Sequence, residues 1–148
     1  GTDSLLNVVY TGDKQKLYND REKIYFLNAK VIPSLNESEQ KIDNALLIST
    51  TTKIKVFMRP AGLKEDSFTS YKNIDCSYSN GKLSINNPTP FYMNLAAVKI
   101  GGKEVSAGAT VPPKALYTIN TTGNSKDVKF NFINDFGVQT KDIKCKFN

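Results

Sequence analysis

Histidine is absent from the 148 residues and cysteine occurs only twice. These two shortages exclude Cys/His zinc sites, Ser-His-Asp triads and histidine acid–base chemistry together. The titratable residues that remain, scattered Asp, Glu and Lys, form no convergent set, so no catalytic residue, metal site or cofactor is expected and the chain is not read as an enzyme. No apolar stretch approaches the roughly 18 residues needed for a membrane-spanning helix, so no membrane insertion is expected. Residues 1–10 lack a basic start followed by an apolar block, the pattern of a secretory signal peptide, so the chain reads as a mature product or a fragment. An exported origin stays open.

What is present is a folded composition: 39% hydrophobic and 10% aromatic, with a formal charge of +6 from 20 Lys and Arg against 14 Asp and Glu. The lysines are spread along the whole chain and accompany no reader motif, so they read as solvated faces and nucleic acid is not an expected partner. Binding of a local anionic group remains compatible with this pattern. Cys76 and Cys145 lie 69 residues apart, each in a strand-like segment. An even count in an exported protein favours a disulfide, and two reduced core thiols are the alternative, since spacing alone does not decide between them.

Short alternating segments separated by turn residues recur throughout, and almost nothing shows helical periodicity over ten residues, so the class is all-β. Strands are expected over 5–11 and 23–32, the second ended by Pro33, with a polar connection over 12–22 and a charged loop over 34–43. Residues 44–59 read as one strand roughly three times the usual five to six residues. One of its faces carries Leu46, Ile48, Thr50, Thr52, Ile54, Val56 and Met58; the other carries Leu47, Ser49, Thr51, Lys53, Lys55, Phe57 and Arg59. A small domain buries only the second half of such a strand, so the first half should stand at a sheet edge. An exposed apolar edge invites aggregation unless it serves to pair with a strand-deficient partner.

Pro60-Ala61-Gly62 breaks the pattern and divides the chain into 1–60 and 61–148. In the second unit seven strands are expected, over 74–78, 82–85, 91–100, 103–105, 115–120, 128–133 and 142–147, a number that suits an immunoglobulin-like β-sandwich. Gly101-Gly102 is a two-residue hairpin signal, because both positions accept the positive φ of a type I′ turn. Val128, Phe130 and Phe132 share one face, expected to be core, with Lys129 and Asn131 outward. The first unit offers three strands in about 60 residues, too few to close a sandwich alone. Either strands are missing from this chain, or another chain supplies them.

Several segments match a known pattern in order and spacing: Asp20-Arg21-Glu22, Tyr25 to Pro33, Thr52 to Ala61, Asn87-Pro88-Thr89-Pro90-Phe91-Tyr92, Val111-Pro112-Pro113 and Ile133-Asn134-Asp135-Phe136-Gly137. Together they resemble the periplasmic chaperones of the chaperone-usher pilus pathway, across almost the whole chain. The resemblance implies two immunoglobulin-like domains arranged as a boomerang with a cleft between them. It also implies a non-enzymatic, periplasmic protein that escorts pilin subunits to an outer-membrane usher. Pilins of this pathway lack a final strand, and the chaperone lends its own long strand to the open groove.

Carried over position by position, the resemblance implies donor side chains at Leu46, Ile48 and Thr50, on one face of the long strand. Thr50 departs from the larger aliphatic usual in the family, so it should fill its pocket less completely. Lys55 aligns with the cleft lysine that anchors the subunit's C-terminal carboxylate, where a charge-assisted bond fixes strand register. The plainer reading makes Lys53 and Lys55 edge-strand gatekeepers against aggregation. Glu22, Arg59 and Asp135 align with an interdomain charge network whose role is geometry more than stability, since exposed ion pairs contribute about 0.2–1 kcal/mol. Asp135-Phe136-Gly137 also spells a kinase magnesium motif, but without its glycine-rich loop or catalytic His-Arg-Asp that reading fails.

Family members normally exceed 200 residues, and the part without a counterpart here is the opening of the first domain, including the arginine that pairs with the cleft lysine. A second chain completing that domain is one expected partner. The competing function is a self-associating immunoglobulin-like pilus component or adhesin, which would form concentration-dependent oligomers without needing a carboxylate.

Overall fold

The computed structural model describes residues 5–32 and 48–147. Leu46 and the loop expected over 34–43 lie outside the described residues. The chain is all-β, with ten strands among the described residues: β1 (Lys23–Val31), β2 (Thr50–Met58), β3 (Asp75–Ser79), β4 (Lys82–Asn87), β5 (Met93–Ile100), β6 (Lys103–Val111), β7 (Ala115–Asn120), β8 (Val128–Ile133), β9 (Ile143–Lys144) and β10 (Lys146–Phe147). Short 3-10 turns at Lys14–Lys16 and Ser70–Asn73 are the only helical pieces among the described residues.

β1 and β2 form an antiparallel two-stranded sheet in register from Lys23↔Met58 to Val31↔Thr50. Alternation sets its two faces. Tyr25, Leu27, Ala29, Ile54, Val56 and Met58 share one; Phe26, Asn28, Lys53, Lys55 and Phe57 share the other. Apolar residues here stay half-exposed, Ile54 at 48% and Phe26 at 50%, because no second sheet lies over them among the described residues. The strand expected from residue 44 enters the ladder only at Thr50. Its partner β1 ends at Val31, opposite Thr50, and no described strand pairs with Ile48 or Ser49. The strand expected over 5–11 is irregular, with Leu5 and Val9 largely exposed, since no described strand lies beside it.

From residue 75 onward two four-stranded sheets face each other, in the orders β10-β3-β4-β7 and β6-β5-β8-β9. Their inner faces meet in one core built on Leu83, Ile85, Leu95, Val98, Val111 and Phe130. Val128, Phe130 and Phe132 are buried as expected. Asn131, expected outward, is also buried, because its carboxamide donates to Asp142 at 2.7 Å and accepts from Gln139 at 3.2 Å. A paired amide tolerates burial that an unpaired one would not. The β5–β6 turn holds Gly101 and Gly102 at φ 57° and 81°, the conformation foreseen for that pair.

In this unit two strands depart furthest from their expected extent. β6 continues to Val111 through Ala107-Gly108-Ala109-Thr110, small residues without a strand signature, and Gly108 takes φ +67° there. The strand expected over 142–147 splits in two, so the second unit has eight strands instead of seven. β9 pairs antiparallel with β8, and β10 pairs parallel with β3 in the opposite sheet. Cys145 sits between them and is disulfide-bonded to Cys76 on β3. The chain thus crosses from one sheet to the other at the residue that is covalently tied across the sandwich.

Candidate functional site

β2 leaves its own sheet through one face. Lys55, Phe57 and Arg59 alternate along it, and all three meet the second sandwich along the start of β5. The Lys55 ammonium donates to Thr110 Oγ1 at 2.6 Å and Asn94 Oδ1 at 3.4 Å. Phe57 packs on Tyr92 with ring centroids 5.4 Å apart. The Arg59 guanidinium lies 4.8 Å over the Phe91 ring, a cation–π contact. Lys53, on the same face, stays at home with its ammonium 4.4 Å over Phe26 of β1. The two lysines therefore do different things, one covering its neighbour strand and the other crossing the cleft.

Arg59 joins the two units through charge. Its Nε donates to Glu22 Oε1 at 2.7 Å, and its Nη1 pairs with Asp135 Oδ2 at 2.9 Å. Glu22 is only 2% exposed, and its other oxygen accepts the Tyr92 amide N–H at 2.7 Å. Its own amide donates to the Pro90 carbonyl at 2.9 Å. A carboxylate so buried needs these partners, because an unpaired buried charge is strongly unfavourable. Asp135 is held by Arg59 and by the Ser67 hydroxyl, which donates at 2.9 Å. Partial burial works to raise the Asp135 pKa, but the hydrogen bonds from Arg59 and Ser67 outweigh it, and the net shift is downward. A second ionic contact between the units joins Lys114 to Asp20 at 2.7 Å, with Arg21 on the same carboxylate.

The second-unit side of this clamp is built by two asparagines. Asn134 Oδ1 accepts the amides of Phe136 and Val138, and Gly137 takes φ +76°, so the turn presents Asp135 at a set position. Asn87 is fully buried; its amide donates to the carbonyls of Phe91 at 2.8 Å and Pro112 at 2.9 Å, and its oxygen accepts the Thr89 hydroxyl at 2.7 Å. It therefore ties the Asn87-to-Tyr92 segment to Val111-Pro112. This holds Phe91 and Tyr92 where β2 arrives.

Between β2 and the second sandwich lies an open cleft of about 640 Å³, lined by Lys53, Ile54, Lys55, Phe57, Arg59, Asn94 and the turn from Ile133 to Gly137. Lys53, Lys55, Arg59 and Asp135 give this cleft its charged groups, set among apolar side chains such as Ile54, Phe57 and Ile133. Of the expected donor residues, Ile48 is 63% exposed and Thr50 is exposed at the end of the ladder, while Leu46 lies outside the described residues. Sequence reasoning missed Ser67, Asn94 and Thr110. The parity of Lys55, Phe57 and Arg59 was a usable signal for the docking face, whereas Thr110 lies in a small-residue stretch that carries none. Among the described residues no cluster of metal-ligating side chains occurs, and no helix is long and apolar enough to cross a membrane.

Comparison with known proteins gives the same architecture an identity. Residues 69–144 match the C-terminal domain of the pili assembly chaperone PapD, and residues 1–64 match the PapD N-terminal domain of pili and flagellar-assembly chaperones. The chain is 32% identical over 145 residues to the probable fimbrial chaperone protein ElfD of Escherichia coli O157:H7, covering 97% of this chain and 60% of that one. It is 33% identical over 138 residues to the chaperone protein LpfB of Salmonella typhimurium, covering 90% and 58%. Among solved structures, the Salmonella enterica complex of the SafA pilin with the SafB chaperone matches with TM-score 0.75 at 34% identity, covering 90% of this chain and 62% of that one. The Escherichia coli chaperone DraB matches with TM-score 0.73 at 26% identity, covering 88% and 61%. The chain thus spans about 60% of the length of the relatives it matches. Their shared fold is immunoglobulin-like in two domains, and their family is not enzymatic. This chain belongs to the PapD family of pilus-assembly chaperones.

Proposed function

We propose that the chain is a periplasmic chaperone that stabilises pilin subunits by lending them a strand and delivers them to an outer-membrane usher. The observation that carries this reading is β2: one edge is bonded to β1, the other is open among the described residues, and the strand runs into the cleft holding Lys55. A subunit strand added along that edge would gain main-chain hydrogen bonds, and Leu46, Ile48 and Thr50 would enter alternate pockets of the subunit. Each Å² of apolar surface so covered contributes roughly 25 cal/mol, and binding the folded subunit alone lowers its unfolded population by mass action. Lys55 is the proposed anchor for the subunit's C-terminal carboxylate, and Glu22, Arg59 and Asp135 the network that holds the interdomain angle. The Cys76–Cys145 disulfide suits an oxidising compartment such as the periplasm. The proposed division is 1–60 and 61–148, with the first domain completed by strands from a further polypeptide segment or a second chain.

The SafB chaperone, solved with the SafA pilin, supports a pilin as partner. Co-purification with a pilin tests it: Leu46→Asp with Ile48→Asp should abolish capture while the second sandwich stays folded, and undiminished capture would refute the reading. The open β2 edge equally favours the self-associating alternative. Lys55→Glu separates the two, since it should break subunit binding but leave an oligomer formed through backbone pairing intact.

A further inference from the structure

A lysine ammonium has three N–H donors and no acceptor. At Lys55 two of them already have acceptors, and both acceptors belong to the second sandwich: Thr110 Oγ1 at 2.6 Å on β6 and Asn94 Oδ1 at 3.4 Å on β5. The Thr110 hydroxyl in turn donates to Asn94 Oδ1 at 3.0 Å, which orients its lone pairs toward the ammonium. Thr110 and Asn94 are half-buried neighbours paired directly across the β5–β6 ladder, whereas Lys55 itself is exposed. A flexible four-carbon side chain in that setting would otherwise sample many rotamers, and ordering it at the moment of binding would weaken any anion contact.

We infer that Thr110 and Asn94 are positioning residues that hold the Lys55 ammonium across the cleft, so that the carboxylate terminus of an incoming polypeptide meets a cation already oriented, with one N–H left to donate. The anion site is then a product of the docked units. It exists only where β2 and the β5–β6 hairpin face each other, and its strength follows the Arg59 clamp four residues further along the same strand face. This rests on the proposed carboxylate anchor at Lys55, and it adds a dependence on the second domain.

The test compares pairs of synthetic peptides with alternating aliphatic and polar residues, each made as the free acid and as the C-terminal amide, titrated against the full chain. The readout is the ratio of acid to amide affinity. Wild-type protein should prefer the acid. Thr110→Val, nearly isosteric, should cut that preference about five-fold with the melting temperature unchanged, and Thr110→Ser should restore it. Loss of melting temperature in step with the ratio would mean a merely structural role and would overturn the inference. So would a Thr110→Val protein that keeps the full preference. Lys55→Met must abolish the preference. If it does not, or if wild type shows none, the anchor reading itself falls and this inference with it. Failure of Thr110→Val alone leaves that reading standing.

Discussion

The β1–β2 sheet and the second sandwich are written in the same period-2 code, yet they end in opposite states. Ile54, Val56 and Met58 alternate as cleanly as Val128, Phe130 and Phe132. Ile54 remains 48% exposed, whereas Phe130 is 1% exposed. The difference is the number of layers. In the second unit a facing sheet covers each inner face and a disulfide spans the two, while no second sheet covers the face of β1 and β2 that carries Ile54 among the described residues. Alternation therefore reports which face a strand offers, and covering that face depends on what else is present. A strand with an open edge and an uncovered face is a hazard in a finished domain and would be an asset under the proposed strand-lending function.

That contrast is sharpest at the disulfide. Cys76→Ser with Cys145→Ser should destabilise the second sandwich by about 4 kcal/mol on the chain-entropy account of a loop this long, read as a lowered urea midpoint. Protection of the β1–β2 amides should change little. If both regions lose protection equally, they are one cooperative unit and the comparison fails. In the cores themselves, Phe130→Ala should remove about 3–5 kcal/mol through the cavity it leaves, whereas Ile54→Ala should remove well under about 1 kcal/mol from a side chain already half in water. Equal losses would mean that the β1–β2 face is covered in solution.

At the junction, Arg59→Ala should cost about 3 kcal/mol, because it strips one partner from the buried Glu22 carboxylate. Hydrogen exchange of the Tyr92 amide, which donates to Glu22, would report the loosening directly. The smallest effect belongs to Asp135. Its folded-state pKa lies below the ordinary carboxylate value, so its contribution is fully present above that value and fades as pH falls through the lower folded one. Acidification below about pH 4 should therefore weaken the junction before the disulfide-closed sandwich opens. Asp135→Asn should remove that pH dependence at a cost under about 1 kcal/mol, since both partners are substantially exposed. Persistence of the acid transition in Asp135→Asn would assign it to other groups, with Asp20 the next candidate because Arg21 and Lys114 lower its pKa too.

Much of this was readable from residue order. The hairpin at Gly101-Gly102 follows from glycine's tolerance of positive φ, and β7 and β8 coincide with their expected spans because β-branched and aromatic residues alternate cleanly there. The second half of β6 was not readable, since Ala107-Gly108-Ala109 has no strand propensity of its own and is held in the sheet by β5. Nor was the break at Cys145, where six residues are shared between two sheets and the crossing falls at the disulfide-bonded residue. At the site, Lys55 and Arg59 stood out as cations in a β-branched run. Thr110 and Asn94 did not, because nothing local distinguishes an ordinary threonine from one that orients a lysine.

Residue order alone settled the class, the two faces of each strand and the kinds of chemistry available, all of which depend on neighbours a few positions away. The folded chain alone decided which faces are covered, that Asn131 is buried, and that Lys55 reaches residues 39 and 55 positions distant. Those outcomes depend on long-range proximity, and a period of two carries no information about what lies on the far side of a cleft.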